Sequence, residues 1–136
     1  KHKLTTFHSQ YKYTVMSHDL IAYKKLGQLL ARADLPLEDM AQQYISGLMA
    51  ALTIKATRKK HANTLAHIQG YFSKHLNSSE RQELCEQINA YREGLIPLIA
   101  PLTLVKHYLL QHPKEYLANQ AYLSPYPDEL RLRYAY

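Results

Sequence analysis

A chain of 136 residues is read as one domain spanning 1–136, long enough to bury roughly two-thirds of the surface its unfolded form exposes. With 46% hydrophobic and 21% charged residues it is not a disordered chain, and a single cysteine excludes an internal disulfide framework or a zinc site built from several cysteines. The net charge of +6 favours an anionic partner (RNA, DNA or a nucleotide) without excluding a plain enzyme.

One cysteine fits a reducing cytoplasm, and the expected localisation is cytoplasmic. A membrane span needs roughly 18 to 20 apolar residues, and Gly94 to Val105 falls short and carries Pro97 and Pro101, so no membrane contact is expected. No secretory signal is legible after Lys1. The 12 tyrosines stand against 2 phenylalanines and no tryptophan. Their rings suit the edges of a core, and their polar tips suit planar ligands.

From Lys3 to Met16, Leu4, Phe7, Tyr11 and Val15 recur at three and four, which predicts a first amphipathic helix with His8 and Lys12 one turn apart on its flank. Asp19 is the expected N-cap of a second helix with Tyr23, Leu26 and Leu30 inward and Gly27 permitting close packing. Ala33-Asp34-Leu35-Pro36 ends it, since the residue before a proline is pushed out of the helical region. Leu37, Met40, Tyr44, Ile45, Leu48, Met49 and Leu52 form the longest apolar stripe, so the third helix is expected to be the central packing element.

The stretch Thr57 to His75 is the most unusual. Leu65, Ile68 and Phe72 form its apolar stripe, while Asn63, His67, Gly70 and Lys74 line up on a polar face. Gly70 costs about 1 kcal/mol against alanine in a helix interior, which predicts a close approach there. No carboxylate occurs from Met40 to Ser79, whereas Lys55, Arg58, Lys59, Lys60 and Lys74 do. Two readings fit the basic cluster. If Thr57 caps a fourth helix, three cations oppose the helix dipole and an anion would relieve them; if the third helix runs on to Lys60, they need no explanation. The β-branched Thr53, Ile54 and Thr57 favour the break.

Ser79-Glu80-Arg81-Gln82 matches a capping box for a fifth helix with Leu84, Ile88 and Tyr91 inward, stopping at Gly94, and Cys85 is expected as a small buried hydrophobe. Pro97 and Pro101 open a sixth helix that His112-Pro113 breaks. A seventh, Lys114 to Tyr122, leads into an extended or turning Ser124-Pro125-Tyr126-Pro127, with a further turn or two after Asp128. No strand-like alternation appears. The expected fold is all-α, a single-domain bundle of six to seven helices.

FHSQYKYTVMSH at Phe7 to His18, YKKLGQLLA at Tyr23 to Ala31, KKHANTLAHIQGYF at Lys59 to Phe72, YREGLIPLIAPLTLVKHYL at Tyr91 to Leu109 and HPKEYLANQAYLSPYPDEL at His112 to Leu130 cover nearly the whole chain. On these segments the chain resembles the YbgA-like family, a bacterial helical domain of unknown function. The resemblance implies that such a domain stands alone, in some cases encoded beside a DNA photolyase, or is fused behind a thiouracil-desulfurase-like domain that carries an iron–sulfur cluster. An association with nucleobase or nucleic-acid metabolism follows as an expectation. The cluster cysteines of that partner have no counterpart here, so no cofactor is expected in this chain. Tyr11 departs from the histidine expected in many relatives.

Eight histidines raise a metal site, yet none forms an i, i+4 pair, and a site would need ligands from different helices such as His8, His67 and His107. No metal is expected. The same three are the candidate catalytic bases, with Asn63, Tyr116 or Asn119 as orienting partners, but no catalytic carboxylate pair, glycine-rich phosphate loop or serine elbow is evident. Binding a phosphate-bearing ligand asks for less. Arg58, Lys60 and Lys106 hold phosphates in this reading, His61 or Asn63 a base or sugar, and Tyr71 or Tyr126 stack, with Lys12 and His8 converging from the first helix and Lys106 and His107 from the sixth. The leading expectation is a nucleic-acid or nucleotide-binding accessory module. The alternatives are an enzyme acting on a modified nucleobase or nucleotide, and a structural module that forms a homo-oligomer or docks on a desulfurase-like partner domain.

Overall fold

The computed structural model describes residues 1–123. The expected turn at 124–127, the tail after Asp128 and the stacking role of Tyr126 lie outside the described residues. Within them the chain is a helical bundle without strands: α1 (His2–Gln10), α2 (Lys12–His18), α3 (Leu20–Leu30), α4 (Leu37–Thr53), α5 (Arg58–Phe72), α6 (Ser78–Arg92), α7 (Ile99–Gln111) and α8 (Glu115–Ala118).

These are eight helices among the described residues, more than the six or seven expected, because the first segment breaks at Tyr11. The periodicity there is helical throughout, but two carbonyls are drawn away by the other end of the chain. Gln120 Nε2 donates to Ser9 O at 2.7 Å, and the Ala121 amide donates to Gln10 O at 3.0 Å. The final expected helix is correspondingly shorter, with its regular part confined to Glu115–Ala118 before the chain turns to make those bonds.

Caps set most other boundaries. Asp19 Oδ1 accepts from the amides of Ile21 and Ala22, as its type at that position predicts. Thr57 Oγ1 accepts from the Lys60 amide at 3.2 Å, so α4 and α5 are separate helices and the basic cluster occupies the first turn of α5. At α6 the capping box starts two residues before the expected position: Asn77 Oδ1 accepts from the Glu80 amide, and Glu80 Oε1 accepts from the Asn77 amide. Asparagine is at least as good a cap as serine and keeps the same three-residue spacing to a glutamate, so it takes the role. Gly94 closes α6 with φ +82, a left-handed conformation that suits glycine.

The core is centred on α5, not on α4. Ala62, Leu65, Ile68 and Phe72 are completely buried, and α5 packs against α2, α6 and α7. Burying each of the larger side chains contributes roughly 1.5 to 3 kcal/mol. A second, smaller cluster joins Val15, Leu26, Leu30, Met40, Tyr44 and Ala51 across α2, α3 and α4. The long stripe of α4 divides there: Met40 and Tyr44 face inward, while Leu37, Ile45, Met49 and Leu52 are exposed. Cys85, expected to be buried, is exposed on α6 one position beyond the inward Leu84. Among the described residues no helix is long and apolar enough to cross a membrane.

Candidate functional site

Polar and aromatic side chains gather at the two ends of α5, separated by the roughly 21 Å that its fifteen residues span. At the amino-terminal end, Lys60 turns back across the preceding loop, where its ammonium donates to His18 O at 2.9 Å and Lys55 O at 3.1 Å. His18 Nδ1 donates to Ile54 O at 2.8 Å, a bond that fixes its tautomer. His61 Nδ1 is 2.6 Å from the Tyr122 hydroxyl. Burial, helped by the neighbouring His18, lowers the pKa of His61, and burial raises that of Tyr122, so both are neutral at pH 7.

Arg58 lies over the Tyr91 ring at 5.9 Å, and a side-chain carbon on Gly94 would come within 3.3 Å of its guanidinium. Lys55, Arg58 and Lys59 are exposed. Among the described residues the ion pair is Arg32–Asp34, on the loop after α3, so these three cations have no carboxylate partner. A shallow cavity of about 320 Å³ lies beside Lys60, lined by Met16, Asp19, Leu20, Ile21, Lys60 and Asn63.

At the carboxy-terminal end, Tyr71 stacks on Tyr116 at 5.4 Å, and the Lys12 ammonium sits 5.9 Å from the Tyr116 ring and 5.4 Å from that of Tyr13. Burial raises the Tyr13 pKa strongly, and the neighbouring Tyr116, Tyr71 and Tyr23 add to it. One step deeper, His8 is buried with its ring stacked on Tyr23 at 4.5 Å and its Nδ1 2.9 Å from the Tyr44 hydroxyl. Gly27 lies beside this ring, and a side-chain carbon there would stand 3.4 Å from His8 Nε2, in van der Waals contact. Burial, reinforced by Lys12, lowers the His8 pKa, while Tyr44 is pushed up to about 12, mainly by burial. His8 is therefore a neutral core group joined to a tyrosine.

The candidates named from sequence separate accordingly. Arg58, Lys60, His61 and Asn63 share the amino-terminal end of α5, although the Lys60 ammonium and the His61 ring are engaged in internal hydrogen bonds. Lys12 and Tyr71 share the other end through Tyr116. His8 belongs to the α1, α3 and α4 junction; His67 is exposed on α5; His107 is exposed on α7, 3.3 Å from Gln111 Nε2. Lys106 is half-buried on α7. Gly70 makes no close approach, because a side-chain carbon there would meet nothing within 4 Å. Among the described residues no group of three or more histidine, cysteine or acidic side chains is placed to hold a metal. Sequence reasoning missed Gln120, Ser9 and Tyr122, which carry no local motif and gain their roles only by long-range contact.

Residues 12–127 match the model of a family described as "Protein of unknown function (DUF1722)". The chain belongs to the DUF1722 family. It is 37% identical over 134 residues to the uncharacterized protein YbgA of Escherichia coli strain K12, covering 97% of this chain and 79% of that relative. No solved structure matches it significantly. The segment matched to DUF1722 contains both ends of α5, Lys12 and Tyr116, while α1 precedes it.

Proposed function

We propose that this DUF1722 chain is a nucleic-acid or nucleotide-binding accessory module whose phosphate contacts lie at the corner between α4 and α5. What carries the reading is the unneutralised charge of Lys55, Arg58 and Lys59, exposed and without a carboxylate partner among the described residues. Arg58 and Lys59 in the first turn of α5, with Lys55 just before its cap, oppose the helix dipole, and a phosphate oxygen there relieves both the repulsion and the free amides. The cavity at Lys60 and Asn63, with Met16, Leu20 and Ile21 in its wall, offers a base or sugar some apolar surface. A histidine-centred enzyme is less well supported, since His8 is committed to Tyr44 and His67 and His107 are exposed on different helices. The wider link to nucleobase metabolism or repair belongs to the same proposal and rests on family resemblance.

The test is binding to a labelled single-stranded oligonucleotide and to tRNA across a salt series. Counterion release makes the logarithm of affinity fall by about 0.7 per phosphate contact for each tenfold rise in salt on a single strand. Replacing Lys55, Arg58 and Lys59 together by alanine is expected to lower that slope by about 2 and to weaken binding at low salt. Unchanged affinity and slope in the triple variant would remove the corner from consideration.

A further inference from the structure

A second pocket is lined by none of the cations of the α4–α5 corner. It measures about 300 Å³ and lies between α1 and α8. His2, Thr5, Thr6, Ser9 and Gln10 form one wall, and Tyr116, Asn119 and Gln120 the other, and no lysine, arginine or carboxylate lines it. Its size is at the lower end for small-molecule sites and suits a heterocycle or its nucleoside.

Gln120 gives the pocket its chemical character. The residue is 2% exposed, and its carboxamide oxygen has no hydrogen-bond partner among the described residues. An acceptor buried without a donor costs roughly 1 to 3 kcal/mol, and in a folded protein such an atom calls for an explanation. Turning the amide over does not relieve it. Gln120 Nε2 already donates to Ser9 O at 2.7 Å, and a flip would set two carbonyl oxygens against each other. The Ala121 amide holds the same segment to Gln10 O at 3.0 Å, so the oxygen is fixed in place as an acceptor. Tyr71 already stacks on Tyr116. The rest of the wall offers small hydroxyls and carboxamides, which both donate and accept.

A wall without lysine, arginine or carboxylate offers a ligand no fixed charge, and an acceptor held in place among groups that both donate and accept selects for an N–H beside a C=O. We propose that the pocket between α1 and α8 binds a small uncharged heterocycle with such a lactam edge, Gln120 Oε1 accepting from its N–H. Carboxamides pair with the edges of nucleobases in two-point fashion for the same geometric reason. The site is independent of the phosphate-binding proposal, because Lys55, Arg58 and Lys59 do not line it and it asks for no phosphate.

The test is an NMR titration of the isotope-labelled protein with uridine and inosine, following the side-chain amides of Asn119 and Gln120. Saturable shifts with a dissociation constant of about 1 mM or tighter are expected. They should be insensitive to salt, since neither nucleoside is charged, which separates this result from any at the cationic corner. 3-Methyluridine and 1-methylinosine, in which a methyl replaces the lactam N–H, are expected to bind at least tenfold more weakly. Gln120→Met should weaken uridine or inosine at least tenfold as well. Because Gln120 also braces α1, exposed Thr6→Val serves as the variant that leaves the fold intact, with a several-fold loss expected. An oligouridylate that shifts the same amides where free nucleosides do not would place the lactam in a strand. Absence of saturable shifts from nucleosides and strand alike up to about 10 mM, or equal binding of the methylated nucleosides, overturns the proposal.

Discussion

Helices α4 and α5 carry apolar stripes of opposite promise. That of α4 is longer and richer, with Leu37, Met40, Tyr44, Ile45, Leu48, Met49 and Leu52, yet Leu37, Ile45, Met49 and Leu52 are exposed. That of α5 is interrupted by histidines and lysines, yet Ala62, Leu65, Ile68 and Phe72 have no exposure at all. The difference lies in the neighbours. α5 is enclosed by α2, α6 and α7, while α4 packs on α3 and α2 along one side. An apolar stripe reports which face of a helix prefers to be covered, and the number of helices that reach it decides how much is covered.

The largest effect that tests this contrast is Phe72→Ala. Truncating a fully enclosed aromatic ring is expected to cost about 3 to 5 kcal/mol in denaturant unfolding, and a loss below about 1 kcal/mol would deny α5 its central place. Next comes Tyr44→Phe on the inner face of α4. Removing the hydroxyl leaves buried His8 without its 2.9 Å partner, and about 1 to 3 kcal/mol should be lost in the same measurement.

Acid should act through the same residue. The His8 pKa is depressed in the folded state from its ordinary 6.5, so the unfolded chain takes up the proton first as pH falls. The contribution is complete above about pH 6.5 and is lost as pH drops through the window between that value and the lower folded one. His61, depressed likewise by burial, adds to the loss. Unfolding free energies measured from about pH 7 to pH 5 should fall, and less steeply in His8→Asn; an identical slope would show that His8 is freely protonated in the fold.

Smaller still, Gly70→Ala should stabilise the protein by about 0.5 to 1 kcal/mol, since the new methyl meets open space in a helix interior. Gly47→Ala on α4 should not share that gain, because its methyl would come within 2.9 Å of Leu26 Cδ2. Thermal unfolding of the two variants distinguishes them. Least of all, Met49→Ser on the outer face of α4 should change stability by no more than about 0.5 kcal/mol. A loss above about 1 kcal/mol that grows with protein concentration would mean that another copy covers this face.

Much of the architecture was legible because it rests on local chemistry. Asp19 and Thr57 cap as their side chains allow, Gly94 ends α6 in the conformation glycine favours, and the stripes of α3, α5 and α6 turn inward. What was illegible depends on encounters between distant residues. Periodicity gives no warning at Tyr11, because the bend is imposed from Gln120 and Ala121. Cys85 differs from Leu84 by one position, a rotation of about 100° on the helix, which was enough to move it from the inside to the outside. In the candidate site, the charge of Arg58 and Lys59 could be read directly. The internal engagement of Lys60 and His61 could not, since His18 and Tyr122 must first be brought to them.

The bend between α1 and α2 also has a place in time. The carbonyl of Ser9 waits for a donor 111 residues further along, and at the usual pace of synthesis that donor leaves the ribosome roughly 5 to 20 s later. Until then the local preference of residues 2–18 is for one uninterrupted helix, which forms within about a microsecond. The α1–α2 segment thus takes its final shape only after residues 120 and 121 have been made, and the pocket beside it comes into being only when the two distant parts of the chain meet.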